Sequence, residues 1–293
     1  MTQIRSAAMI VNARSRNGRD QFTQACAAMQ GMPFEVDAHA VENPDDLVET
    51  VHKALARKPD LLVLGGGDGT ISSLVDHLLG HDVILGVLPF GTANSFCRTL
   101  GIPLDIPGAV EVLKTGTPRR IDLGMIDGDY FANCAAIGLS PQIAQTVPHG
   151  VKRAFGRAGY LAWAALQFAK FHPFELIVGE GPAARRMMAT EVRISNGRFH
   201  GGTELVEEAR LDSGEIIVQV VAGKGKRSLV RNWAASFFKL ESRRVDTLTF
   251  HGQSLRITTI PPLPISIDGE VLATTPVQAK IAAGIIEVMA PAV

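Results

Sequence analysis

Six consecutive residues constrain this chain more than any others: Gly65-Gly66-Gly67-Asp68-Gly69-Thr70. They follow the short apolar run Leu61 to Leu64 and open a stretch that reads as helix to about Leu79. A strand ending in glycines that turns directly into a helix belongs to a parallel sheet covered by helices. Glycines reach positive φ and let a backbone approach a ligand closely. The amides of a helix start favour phosphate. An unliganded turn does not need four glycines in five residues around a carboxylate. Asp68 beside phosphates would be repelled unless a divalent cation bridged them, so the loop points to Mg²⁺. It is neither of the two common phosphate loops. No Gly-x-x-x-x-Gly-Lys-Ser/Thr occurs, and Thr70 stands where a dinucleotide fingerprint starting at Gly65 needs glycine.

The flanking pattern agrees. Ala7 to Val11 and Phe34 to Val41 read as strands, with a helix over Arg19 to Met29 between them. Asn43-Pro44-Asp45-Asp46 reads as the start of a helix that runs to about Arg57, with proline in the first turn and acids matching the helix dipole. Val83 to Leu88 is a further strand, followed by a second loop, Leu88-Pro89-Phe90-Gly91-Thr92-Ala93-Asn94. Ligands of such sheets sit at the carboxyl ends of the strands, and two loops at adjacent strand ends can cradle one triphosphate.

After about Ile121 the texture changes. Asp122 to Ala136, Phe174 to Val178, Glu191 to Ser195, Glu215 to Val221, Thr247 to Phe250, Ser254 to Thr259, Ile265 to Ile267 and Gln278 to Ala282 read as strands. Turn dipeptides such as Asp127-Gly128, Asn196-Gly197, Ser213-Gly214 and Asp268-Gly269 punctuate them, which suggests an antiparallel sandwich or barrel. The expected organisation is an α/β nucleotide domain over 1–121 and a β-rich domain over 122–293, the extreme C-terminus being free to return to the first domain. A length of 293 residues fits two domains sharing a cleft.

Composition narrows the partners. With 46% hydrophobic residues the chain can fill substantial cores, and a formal net charge of 0 offers no global field for nucleic acid or an anionic membrane. The three cysteines, Cys26, Cys97 and Cys134, are widely spaced and read as packed thiols rather than a disulfide framework. His77 and His81 stand four apart without a further ligand to complete a metal site and read as surface residues, and the eight histidines carry no other signal. No signal peptide is visible, and the longest apolar stretch, Ala158 to Ala169, is shorter than the roughly 20 residues that span a bilayer. A cytoplasmic protein is expected, with any membrane contact peripheral at the inner face.

Taken together, the motifs resemble the diacylglycerol kinase catalytic family, and more closely its soluble bacterial lipid kinases related to sphingosine kinases. NAD kinases and phosphofructokinases are remoter relatives. Gly66-Gly67-Asp68-Gly69-Thr70 matches the family's GGDGT signature, Pro89 to Asn94 its P-x-G-T-x-N loop, and Asp268-Gly269-Glu270 its late D-G-E. Asn12 to Gly18 stands where the family has a first phosphate loop, with Ala13 in place of its proline. Asp122-Leu123-Gly124, Asn133, Gly138, Asn196-Gly197 and Leu211-Asp212-Ser213-Gly214 fall in the expected order, so the resemblance covers nearly the whole chain.

The resemblance implies an NAD kinase-like first domain and ATP held between the domains by Asn12, Gly66, Gly67, Asp68, Gly69, Thr70, Gly91, Thr92 and Asn94. It implies Mg²⁺ near Asp68, with Asp212 marking the family's secondary metal segment. It implies transfer of the γ-phosphate to a hydroxyl of diacylglycerol or a related lipid, with Asp268 or Glu270 as the base beside it. Two positions depart from the pattern: Ser95 and Ser213 stand where the family usually has aspartate. Two alternatives stay open. One is a soluble-metabolite kinase of the NAD kinase type, disfavoured because the chain lacks that family's Asn-Glu pair; the other is a nucleotide- or lipid-binding regulator without turnover. Two segments, Lys152–Lys170 and Lys224–Leu240, combine basic residues with Trp163 and Trp233 and could dock on a lipid surface. No nucleic-acid module is recognised. Relatives of this kind are often dimers, which leaves a homodimer open.

Overall fold

The computed structural model describes residues 4–14, 17–139, 163, 166–225 and 247–292. Its first half alternates strand and helix: β1 (Ser6–Asn12), α1 (Gly18–Ala28), β2 (Glu35–Val41), α2 (Leu47–Leu55), β3 (Leu61–Gly66), α3 (Asp68–Val75) and β4 (Ile84–Pro89). Then come α4 (Ser95–Leu100) and α5 (Ile106–Thr115). The four strands are parallel in the order β2-β1-β3-β4. β1, β3 and β4 are apolar almost throughout and buried, as strands covered on both faces must be.

Register does the work that matters for function. Val11 pairs with Gly65, Gly65 with Leu88 and Gly66 with Pro89. The carboxyl ends of β1, β3 and β4 therefore finish side by side, and the loops after Asn12, Gly66 and Pro89 leave the sheet at one edge.

The second half is antiparallel: β5 (Thr117–Ile126), β6 (Asp129–Phe131), β7 (Cys134–Gly138), β8 (Phe174–Val178), β9 (Arg185–Ser195), β10 (Phe199–His200), β11 (Thr203–Glu204) and β12 (Ile216–Ala222). β13 (Thr247–Gly252), β14 (Ser254–Ile260), β15 (Pro264–Ile267), β16 (Glu270–Thr274) and β17 (Val277–Ala290) complete it. This is a β-sandwich-like domain with its own core, in which Val192, Ile194, Val218, Val220, Ile265 and Val277 are among the buried residues. A separate core lines the parallel sheet.

The halves are joined through two long strands. β17 pairs antiparallel with β14 near its start and parallel with β4 near its end, where Glu287 and Val288 face Ile84 and Leu85. β5 runs alongside β17 from Ile126 back to Thr117, so residue 121 lies inside a strand that both halves share. The strand expected over Gln278 to Ala282 continues to Ala290 because a bulge absorbs Gly284, whose φ is +58°. The run expected from Asp122 to Ala136 is broken into β5, β6 and β7 by turns at Asp127-Gly128 and Ala132-Asn133.

Of the two basic, tryptophan-bearing segments, only Trp163, residues 166–170, Lys224 and Gly225 lie within the described residues. Trp163 and Phe168 pack against the second core, while Leu166 is exposed. Among the described residues no helix is long and apolar enough to cross a membrane.

Candidate active site

The glycine loop and the Pro89–Asn94 loop touch through their backbones. A Cβ on Gly91 would stand 2.5 Å from Gly67 Cα, and one on Gly67 would stand 3.3 Å from Gly91 Cα. Only glycine at 91 lets the two loops meet without displacement. Phe90 also donates its amide to Gly66 O at 3.1 Å. The second loop is fixed from within by Asn94, whose backbone is left-handed at φ +47°, a conformation asparagine tolerates. Its Oδ1 accepts the Gly91 amide at 2.8 Å and its Nδ2 donates to Gly91 O at 2.8 Å. From the third strand end, Asn12 donates its Nδ2 to Thr70 Oγ1 at 3.2 Å.

These loops enclose an open cavity of about 360 Å³ lined by Asn12, Arg14, Gly66, Gly67, Thr70, Phe90, Gly91 and Thr92. Glycine backbone, two threonine hydroxyls, an amide side chain and one guanidinium form a donor-rich wall with no carboxylate on it. That chemistry fits a polyphosphate.

Asp68 stands at the first position of α3, with the Gly67 carbonyl accepting from Ile71. Its Oδ1 accepts the Phe96 amide at 3.1 Å, which ties the start of α3 to the start of α4. One carboxylate beside phosphate oxygens is common company for Mg²⁺. Among the described residues no group of three or more His, Cys, Asp or Glu could hold a metal by itself. Asp212 forms a salt bridge with Arg119 at 2.6 Å; neither it nor Asp68 lines either cavity of the site.

A second cavity, of about 110 Å³, lies against the other side of α3. It is lined by Gly69, Ser72, Ser73, Asp76, Asp129, Tyr130, Ile267, Glu270 and Leu272. Glu270 is exposed at the start of β16, and its Oε1 lies within van der Waals reach of a Cβ placed on Gly69. The D-G-E turn therefore faces the glycine loop, although some 200 residues separate them in the chain.

Asp268 is held in a different way. Its backbone is left-handed at φ +42° and its amide donates to Cys134 O at 2.9 Å. Its Oδ2 accepts from the amides of Ala132 (3.1 Å) and Asn133 (3.3 Å), and its Oδ1 from the amide of Cys134 (2.9 Å). Ser72 of α3 adds a side-chain hydrogen bond. Burial pushes the carboxyl up to about 6, against the hydrogen bonds from Cys134, Ser72 and Asn133 and with a further push from Asp68. Asp268 is thus the peg that fixes the turn, and Glu270 is the carboxylate left open to the cavity.

The remaining motif residues brace this arrangement. Asn196 Nδ2 donates to Asp122 O (2.7 Å) and Ala132 O (2.9 Å), while the buried Asp122 carboxylate accepts the amides of Gly214 and Gly284, both at 2.7 Å. Asn133 donates to Phe199 O and accepts from Thr99. The two departures have structural work. Ser95 Oγ accepts the Gly202 amide at 3.1 Å, and Ser213 Oγ closes its own turn against Arg210 O and the Glu215 amide. Cys97 and Cys134 are buried free thiols, Cys97 pushed up to about 12 chiefly by burial.

Two residues of this region carried no sequence signal. Ser72 is unremarkable in a linear reading, and His200 is one of eight histidines. His77, expected at the surface, meets His52 with ring nitrogens 3.0 Å apart.

With this geometry in view, the relatives are informative. Residues 6–126 match the diacylglycerol kinase catalytic domain, and residues 134–290 match the YegS C-terminal NAD kinase beta sandwich-like domain. The chain is 31% identical to a "Probable lipid kinase YegS-like" of Pseudomonas syringae pv. tomato over 75% of its length and 72% of that protein. The chain belongs to the YegS-like lipid kinase family. Within that family's reach it is also 26% identical to a "Diacylglycerol kinase" of Staphylococcus epidermidis, over 90% of this chain and 85% of that one. The match to an uncharacterized Synechocystis protein, 27% identical, spans about half of that protein's length, 54%. The crystal structure of a diacylglycerol kinase from Bacillus anthracis superposes with a TM-score of 0.78 at 23% identity, covering 99% of this chain and 98% of that one. At that identity the likeness speaks for the fold.

Proposed function

We propose that this protein is an ATP-dependent lipid kinase, moving the γ-phosphate of ATP to a hydroxyl of diacylglycerol or a related lipid. The observation that carries the reading is the meeting of two separately built parts: a donor-lined cavity at three strand ends and, across α3, an open carboxylate on a pegged turn. Family membership makes a phosphotransferase the expected chemistry, and the names of the Pseudomonas and Staphylococcus relatives point to a lipid acceptor.

The donor phosphates would lie in the cavity of Gly66, Gly67, Thr70, Gly91 and Thr92, with Asn12 and Arg14 at its mouth. Gly69 and Asn94 shape the two loops. Mg²⁺ would be held by Asp68 together with phosphate oxygens, and its charge would neutralise the phosphates as the bond to the leaving group stretches. Asp212 is not needed for that role, since it is already paired with Arg119. Glu270 would orient the acceptor hydroxyl and take its proton late in the transfer. Asp268 would hold the turn so that Glu270 keeps its place beside Gly69. The lack of an Asn-Glu pair argues against a soluble NAD-type acceptor.

The test is transfer of labelled γ-phosphate from Mg·ATP to acceptors in mixed micelles: diacylglycerol, monoacylglycerol, ceramide and sphingosine, with NAD as the soluble control. Label in an organic-soluble product is expected. Label on NAD alone would replace this reading with the soluble-metabolite kinase, and ATP binding without any product would replace it with the regulator.

A further inference from the structure

The sequence sets His77 beside His81, four positions on, but the fold pairs it with His52, 25 residues earlier. His52 stands on α2, and His77 on the short 3-10 turn Asp76–Leu78 that continues α3. His52 Nε2 and His77 Nδ1 lie 3.0 Å apart. The rings meet edge to face, with centroids 4.9 Å apart and planes at 65°. Neither residue lines the two cavities of the proposed active site.

Three observations bear on what this pair can hold. The first is spacing. Two imidazole nitrogens bound at right angles to one ion, each at about 2.1 Å, stand about 3.0 Å apart, which is the separation seen here.

The second is the tautomer. Without an ion, one of the two facing nitrogens must donate to the other. To turn both lone pairs onto one ion, each ring must carry its proton on its far nitrogen. For His77 that nitrogen is Nε2, which faces Asp76 Oδ1 at 3.8 Å. A carboxylate behind a ligating imidazole favours this tautomer and makes the ligand more basic.

The third is the mounting. Val51 and Leu55 flank His52 on α2, and Val75 and Leu78 flank His77; all four are buried in the first core. The rings are thus placed by fixed elements, as a binding site needs. His52 is nevertheless exposed and His77 partly so, which leaves room for water on an ion held between them. A hydrogen bond alone accounts for the 3.0 Å contact; the carboxylate on the far nitrogen and the rigid mounting are what a metal site adds.

We propose that His52 Nε2 and His77 Nδ1 bind a divalent transition-metal ion of the Cu²⁺, Ni²⁺ and Zn²⁺ group, with water in its other positions. Imidazole suits these ions, whereas Mg²⁺ takes oxygen ligands. Among the described residues no third His, Cys, Asp or Glu joins the pair, so the ion is an exchangeable one and not a closed structural centre. Bound there, it ties α2 to the far end of α3, the helix that opens with Asp68. This site is separate from the Mg²⁺ proposed at Asp68, and neither reading depends on the other.

The test uses tag-free protein without nucleotide. Cu²⁺, Ni²⁺, Zn²⁺ and Mg²⁺ are titrated by calorimetry, and the melting temperature is read with and without each ion. One ion per chain is expected for each of the first three, tightest for Cu²⁺. Present at about 100 times its Kd, such an ion should raise the melting temperature by roughly 5 °C. His52→Gln and His77→Gln should each weaken binding at least about tenfold, since even an outer-shell partner is worth that much, and should cut the rise by half or more. His81→Gln should leave both unchanged, and Mg²⁺ should give no effect that the substitutions remove. Electron paramagnetic resonance of the wild-type Cu²⁺ protein should show two imidazole nitrogens on the ion. Both rings are at the surface, and the metal-free melting temperature checks that the variants fold. No binding of Cu²⁺ or Ni²⁺, binding that survives both single substitutions, or a Cu²⁺ spectrum without two imidazole nitrogens would overturn the proposal and leave the contact a hydrogen bond.

Discussion

The two sides of the proposed active site are built by opposite strategies. The side proposed to hold the donor phosphates, the phosphate side, is local. Each loop is a run of contiguous residues at the end of a parallel strand, and the register of β1, β3 and β4 brings the runs together. The side proposed for the acceptor, the acceptor side, is assembled from distant pieces. Asp268 is held by the amides of 132–134, Phe199 by Asn133, and the Gly202 amide by Ser95. The phosphate side depends on glycines and backbone, the acceptor side on buried polar side chains that hold one another.

If this contrast is right, damage to the two sides differs in kind. The largest effect belongs to the phosphate side: Asp68→Ala should lower kcat by roughly 10³-fold or more, the scale of losing a preorganised charge at a reacting phosphate. Thermal unfolding should hardly register it, since Asp68 is bound to the fold through one amide. Near-wild-type turnover would remove Asp68 from the site.

On the acceptor side the damage should appear first as instability. Arg193 and Glu191 are 1% and 5% exposed. Removing one partner of a buried pair costs about 3–5 kcal/mol because the other charge loses its counter-charge in a buried setting. Arg193→Leu should therefore unfold at much lower denaturant, and adding Glu191→Leu should recover most of that loss. A single variant as stable as wild type would break the contrast.

The smallest effect is a pH dependence with two signs. Burial raises Asp268 to about 6, above its value in the unfolded chain. Protonation therefore favours the fold: this group's contribution is complete below the ordinary carboxylate range and is lost as pH rises through about 6. Activity should run the other way. Below about 6 the carboxyl is protonated and can no longer accept all four of its bonds, so the turn carrying Glu270 loosens. The acid limb of kcat should disappear from the profile of Asp268→Asn, and its persistence there would assign it to another group.

The contrast also explains what the sequence made legible. Gly66 to Thr70 and Pro89 to Asn94 announce themselves because a loop's chemistry lies in consecutive residues and the preceding apolar run tells where it leaves the sheet. Asp268-Gly269-Glu270 was legible as a turn, but not its peg: nothing in a linear reading links position 268 to the amides of 132–134. Asp212 was picked out by the company of Leu211 and Gly214, while the fold turns it onto Arg119. His200 looked like any other histidine, because burial and the absence of a partner for Nδ1 among the described residues exist only in three dimensions. β17 was legible only as far as Ala282, since the bulge at Gly284 that carries it across to the parallel sheet breaks the alternation.

The central claim is the division of labour itself: one side holds ATP, the other activates the acceptor. Glu270→Gln tests it most directly, with ATP affinity and single-turnover transfer to diacylglycerol measured on the same protein. The account predicts an ATP Kd close to wild type and transfer slowed about 10²–10⁴-fold, the range of a lost general base. Transfer at the wild-type rate would contradict it, and so would loss of ATP binding in step with transfer, since Glu270 would then belong to the nucleotide side.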